Sequence, residues 1–152
     1  MRLRSASISG NVATLEVAIS GPTTSPDVYG FAFDLVLSNP AAAQYVAGSA
    51  QFGSALTPDG GQTGIALAEQ LGDRVVVGAT LSGGGAGDQI GAGEAAILSL
   101  RFRVLAFATT EIRFGGSTDP VDPTTDPAAL DSSGSVIGSV VLDPAPAVLS
   151  GV

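Results

Sequence analysis

The sequence predicts an all-β protein, an antiparallel β-sandwich of about nine strands with jelly-roll topology. Three observations carry that expectation. Large apolar residues recur at every second position in one short stretch after another, most clearly Phe31, Phe33, Leu35 and Leu37 against Ala32, Asp34 and Val36. That is the period of a strand with one face in a core. Between these stretches fall most of the 21 glycines and 9 prolines, which act as turn punctuation. No long segment shows the period of an amphipathic helix.

Taken in order, Ala13, Leu15, Val17 and Ile19 alternate with Thr14, Glu16, Ala18 and Ser20, a strand wet on one side. Gly21-Pro22 ends it, and Thr23 to Asp27 reads as a loop that carries the chain between sheets. The strand Phe31 to Leu37 closes at Ser38-Asn39-Pro40, because proline supplies no ladder N–H. Ala41 to Val46 reads as a turn and a short strand, and Phe52 to Gly61 as loop. Thr63 to Ala68 is expected to be a strand with Ile65 and Leu67 inward. The tight turn Leu71-Gly72-Asp73-Arg74 leads into Arg74 to Ser82, with Val75, Val77, Ala79 and Leu81 on one parity.

A flexible loop follows at Gly83 to Gly85. Glu94 to Val104 is the longest expected strand, with Ala96, Leu98, Leu100, Phe102 and Val104 inward and Ala95, Ile97, Ser99, Arg101 and Arg103 outward. Thr110 to Phe114 places Ile112 and Phe114 inward, Glu111 and Arg113 outward. After a turn at Asp131-Ser132-Ser133-Gly134, Val136 to Leu142 is the last expected strand. Residues 1–143 then form a single domain, and 144–152, entered through Asp143-Pro144-Ala145-Pro146, a C-terminal tail or the start of an interdomain linker, with Ala147-Val148-Leu149 able to pack back as the alternative.

Composition removes whole classes of function. The net charge is −8, and the six cations are all arginine, dispersed at Arg2, Arg4, Arg74, Arg101, Arg103 and Arg113. No basic stripe exists to meet nucleic acid or an anionic membrane. Ala95 to Ala108 is the longest apolar stretch, but Arg101 and Arg103 interrupt it and it is too short to span a bilayer. Met1-Arg2-Leu3-Arg4 leads into an alternating segment and not into the apolar run of a signal peptide, so the chain reads as a domain cut from a longer protein.

Neither cysteine nor histidine is present. Disulfides, thiolate nucleophiles, most transition-metal sites and the serine–histidine dyad therefore drop out. A carboxylate pair is the remaining common catalytic device. Sugar hydrolases and sugar-binding modules lean on aromatic platforms, whereas this chain has no tryptophan and only Tyr29 and Tyr45 as tyrosines. The glycines of Gly83 to Gly85 and Gly91-Ala92-Gly93 are followed by no Gly-Lys-Ser/Thr, so they are loop glycines, not a phosphate cradle.

Five segments in a fixed order resemble the cohesin family, the scaffold modules that bind dockerin domains. They are Leu15-Glu16-Val17-Ala18-Ile19; Gly30-Phe31-Ala32-Phe33-Asp34-Leu35-Val36-Leu37-Ser38-Asn39-Pro40; Asp73-Arg74-Val75-Val76-Val77-Gly78; Gly91-Ala92-Gly93-Glu94-Ala95-Ala96-Ile97-Leu98; and Asp131-Ser132-Ser133-Gly134. Leu37-Ser38-Asn39-Pro40 stands, one residue longer, where the family usually has Tyr-Asp-Pro, and the loop from Asp119 to Pro127 is longer than in many members.

The resemblance implies a non-catalytic protein-recognition module of an extracellular or surface-bound bacterial assembly. It also implies one sheet from Phe31 to Leu37, Thr63 to Ala68, Arg74 to Ser82 and Thr110 to Phe114, whose outer face meets a dockerin. The partner-binding residues would be Ala32, Asp34, Val36, Val76, Thr80, Ser82, Glu111 and Arg113; the plain alternative is a solvated sheet face. A carbohydrate-binding module using Tyr29 or Tyr45, and a structural or adhesive sandwich domain, are the competing functions. No cofactor is required by this reading. Asp119, Asp122 and Asp126 offer hard oxygen ligands for calcium, against a stiff, proline-rich loop as the alternative.

Overall fold

Period-two segments pair into two facing sheets. The structure, a computed structural model, describes residues 1–21, 25–85, 87–90, 93–115, 128–137 and 142–151. Its strands are β1 (Arg2–Ser9), β2 (Val12–Ile19), β3 (Ser25–Val28), β4 (Gly30–Leu37), β5 (Ala43–Tyr45), β6 (Gln51–Phe52) and β7 (Thr63–Leu71). They continue as β8 (Arg74–Ser82), β9 (Asp88–Ile90), β10 (Ala95–Val104), β11 (Thr109–Gly115), β12 (Ala128–Leu130) and β13 (Ala147–Ser150). The first sheet runs β1-β2-β10-β5, with β6 also on β10, and the second runs β13-β11-β4-β8-β7, with β12 also on β4. The chain passes back and forth between the sheets, β2 to β4, β4 to β5, β6 to β7, β8 to β10, β10 to β11. All the ladders are antiparallel, and the topology is a jelly roll.

The two inner faces interdigitate. Leu15, Val17, Leu98, Leu100 and Phe102 from the first sheet meet Phe31, Phe33, Leu35, Leu37, Val75, Val77, Leu81, Ile112 and Leu149 from the second, all buried. Burying each such side chain is worth about 1.5–3 kcal/mol relative to exposure. Edge-to-face ring pairs, Tyr45 with Phe102 at 5.9 Å and Phe33 with Phe114 at 5.8 Å, add to the core.

Several expectations need correction. Thr23 to Asp27 is not wholly loop, since β3 pairs with β9 in a two-stranded ribbon. Ile97 is buried, not outward, because the register shifts between Ala96 and Leu98. A bulge of this kind adds one residue and changes the parity of everything before it, so Ala96 is only half-buried. On the facing strand Ala18 is buried and Ile19 half-buried. Val136 contributes a single bridge to Leu130, and 138–141 lie outside the described residues. The segment after residue 144 is not a tail, since β13 pairs with β11 and buries Ala147 and Leu149.

A candidate partner-binding face

The outer surface of the second sheet can be laid out row by row from the ladder registers, because residues directly opposite on antiparallel strands share a face. One row holds Leu71, Arg74, Val36 and Arg113, and the next Glu69, Val76, Asp34 and Gly115. The third holds Leu67, Gly78, Ala32 and Ala128, and the fourth Ile65, Thr80, Gly30 and Leu130. Thr63 and Ser82 close this end, while Glu111 lies beside Val148 at the other edge.

All eight expected contact residues lie on this face, and most are accessible: Ala32, Val76 and Arg113 are exposed, and Val36, Thr80, Ser82 and Glu111 half-buried. Asp34 is the exception and corrects the expectation of an outward charge, with only 4 % of its surface exposed. Its Oδ2 accepts a hydrogen bond from Arg74 Nη1 at 2.9 Å. Gly115 packs so closely that an added Cβ would lie 3.1 Å from the Asp34 Cβ. The rim charges Glu111 and Arg113 are engaged with each other, Arg113 Nη2 donating to Glu111 Oε2 at 2.8 Å.

The face is more apolar than expected, because the parity of β7 is the reverse of the one read from sequence. Ile65, Leu67 and Leu71 point outward, 46 %, 68 % and 58 % exposed, beside Val76 at 43 %. The inward positions Gly64, Ala66, Ala68 and Gln70 are small or polar for local reasons. Phe52 lies where a Cβ on Gly64 would be, and Gln70 Oε1 accepts from the Tyr45 N–H at 2.7 Å. Two large residues at i and i+2 identify a sheet face but not which side is wet, so Ile65 and Leu67 gave the period and not the polarity. In mid-face Gly78 has open space above it and Ala32 beside it, so Leu67 stands over a shallow floor.

Beyond this face, a cleft of ≈ 670 Å³ separates β5 from the end of β7, lined among others by Gln44, Tyr45, Glu69, Gln70, Arg103 and Leu105. The two tyrosines differ in exposure. Tyr45 is buried, its oxygen accepting from the Ala50 N–H, and the half-buried Tyr29 donates to the Gly83 carbonyl at 2.6 Å. Asp119, Asp122 and Asp126 lie outside the described residues. Among the described residues no group of three acidic side chains is placed to hold a metal ion.

Two other carboxylates tie loops together. Asp27 accepts from the Gly87 N–H at 2.6 Å through Oδ1 and from Ser132 Oγ at 2.6 Å through Oδ2. Asp131 Oδ1 accepts from Ser133 Oγ and from the N–H groups of Ser133 and Ser135. Chiefly through the hydroxyl donors, Ser132 for Asp27 and Ser133 for Asp131, these bonds hold both carboxyls below the usual carboxylate range.

The architecture is that of the cohesins. A type II cohesin domain from the cellulosome of Acetivibrio cellulolyticus superposes with a TM-score of 0.60 at 16% identity, over 97% of this chain and 92% of that one. The sixth cohesin of scaffoldin B from the same organism, solved in complex with a mutant Cel5 dockerin, gives 0.62 at 13% identity over 99% and 96%. Type II cohesin A11 of Bacteroides cellulosolvens gives 0.62 at 12% identity, over 96% and 98%. No protein-family model and no curated protein matches the sequence.

Proposed function

We propose that the protein is a non-catalytic recognition module that binds a dockerin-type domain through the outer face of the second sheet, as one part of an extracellular or surface-bound bacterial assembly. The observation that carries this reading is the exposed apolar band of Ile65, Leu67, Leu71 and Val76 on a cohesin sandwich. Apolar side chains standing on a rigid sheet supply desolvation energy at low entropic cost. Glu69, inside the band between Leu67 and Leu71 and opposite Val76, and Arg74, Glu111 and Arg113 beside it set orientation. A cohesin of the same fold has been solved with a dockerin bound, which supports the kind of partner. The lack of histidine and cysteine fits binding better than catalysis.

Calorimetric titration with calcium-loaded dockerin domains encoded in the source genome tests the proposal. At least one is expected to bind in a one-to-one complex, and failure of every one to bind contradicts it. The sugar-binding alternative loses Tyr45 to burial and keeps only the half-buried ring of Tyr29.

A further inference from the structure

A sheet edge is a row of unpaired N–H and C=O groups, and proteins usually blunt it with charge, proline, a bulge or shortness. Three of the four strands at the ends of the two sheets follow that rule. β1 carries Arg2 and Arg4 and a register shift between Ser5 and Ser7. β5 has three residues. β13 has four, and Pro144 and Pro146 immediately precede it. β7 does not: it is nine residues long, pairs with β8 without a break, and contains no proline, lysine or arginine. Among the described residues its backbone makes no hydrogen bond beyond the β8 ladder, and its outward side chains include Ile65, Leu67 and Leu71.

We propose that this edge joins a second copy of the chain, the two β7 strands pairing antiparallel about Leu67 so that the second sheets of both copies become one continuous sheet. The strand is complementary to itself in this register. Centring on Leu67 is the one arrangement that pairs all of Thr63–Leu71, placing Leu67 on Leu67, Ile65 on Glu69 and Thr63 on Leu71. Glu69, the strand's single charge, then lies four positions from its copy, about 13 Å along the strand. Pairing centred on Glu69 would set like charges face to face. Gly64 meets Gln70 and Ala66 meets Ala68 on the inner side, so β7 itself brings no large inward side chain to the approach, and Phe52 packs against the inner side of Gly64. Because pairing runs along an edge, Val76, Val36 and Ala32 remain open on each copy.

The chain has no cysteine, so single-cysteine variants of it report proximity cleanly. In this register the Leu67 Cβ atoms lie about 4.5–5.5 Å apart. L67C alone in solution is expected to form covalent dimers with a short bis-maleimide at least ~10-fold faster than V148C, on the opposite edge of the same sheet. Sedimentation velocity should show a concentration-dependent dimer for the parent chain and a monomer for L67K, whose far-UV circular dichroism and unfolding temperature stay those of the parent. A parent chain that is monomeric at millimolar concentration, or equal cross-linking of L67C and V148C, overturns the proposal. No dockerin is present in these experiments, so their outcome and that of the dockerin titration are read separately.

Discussion

A nearly dry carboxylate such as Asp34 is tolerated only while its cation stays in place. Arg74 is 42 % exposed at its side chain and can return to water, but Asp34 cannot. Arg74→Met should therefore cost more than Asp34→Asn, about 1–3 kcal/mol, with Asp34→Asn below it; equal losses in chemical denaturation would mean that the pair shares its burial evenly. Phe107 shows the opposite economy. It sits at φ +57° in the turn closed by the Ala108 N–H on the Leu105 carbonyl, and is almost fully exposed. A bulky residue in the left-handed region is strained, and this ring gains no burial in return. Phe107→Gly should raise stability by up to ~1 kcal/mol, and an unchanged or lower unfolding temperature would show that the ring is held by contacts. Neither feature was legible in the sequence: alternation gives Asp34 its face of the sheet but not its burial, because Arg74 and Gly115, which cover it, lie on strands far from it in the chain.

At the scale of elements, parity was readable wherever both sides of a strand differ in size and wherever no bulge intervenes. β8 and β11 met both conditions, and their inward sets, Val75, Val77, Ala79 and Leu81, then Ile112 and Phe114, are those found inside. β10 failed the second condition at Ala96–Leu98, and β7 failed the first, since its inner face is glycine and alanine. That inner face is small because Phe52 needs the room. Gly64→Ala would place a methyl group against the Phe52 ring and should cost about 1–3 kcal/mol, read as a lowered unfolding midpoint with dockerin affinity little changed. Loops are tied by carboxylates. Asp27, at φ +62°, links Gly87 and Ser132, and Asp131 closes its own turn. Both titrate below their ordinary value of 3.8 in the folded state. Their stabilising effect is thus full above that value and lost as pH falls through the lower folded values. Unfolding temperature should hold from neutral pH down to about pH 5 and decline below about pH 4. Asp27→Asn should flatten that decline, and an unaltered acid slope would assign it to other carboxylates.

For the whole molecule, the sandwich was legible in the succession of short period-two strands, whereas which strands share the sheet carrying the candidate face came from the family resemblance, because alternation within a strand does not say which layer the strand joins. The make-up of the face was only half legible. Val36, Val76 and Arg113 were found there as expected, whereas Ile65, Leu67 and Leu71 emerged once the registers of β7 and β8 were known. Ile65, Leu67, Leu71 and Val76 make an exposed apolar band on a protein of net charge −8, the feature on which the proposed partner-binding role rests. The most direct test of that assignment is the affinity of Val76→Glu for a bound dockerin, set against Ile8→Glu, an exposed apolar position on the other sheet. The account predicts a loss of at least ~10-fold for Val76→Glu and none for Ile8→Glu, a buried charge at an interface core costing more than 1.4 kcal/mol. Equal affinity of Val76→Glu and the parent chain, or a loss confined to Ile8→Glu, would contradict it.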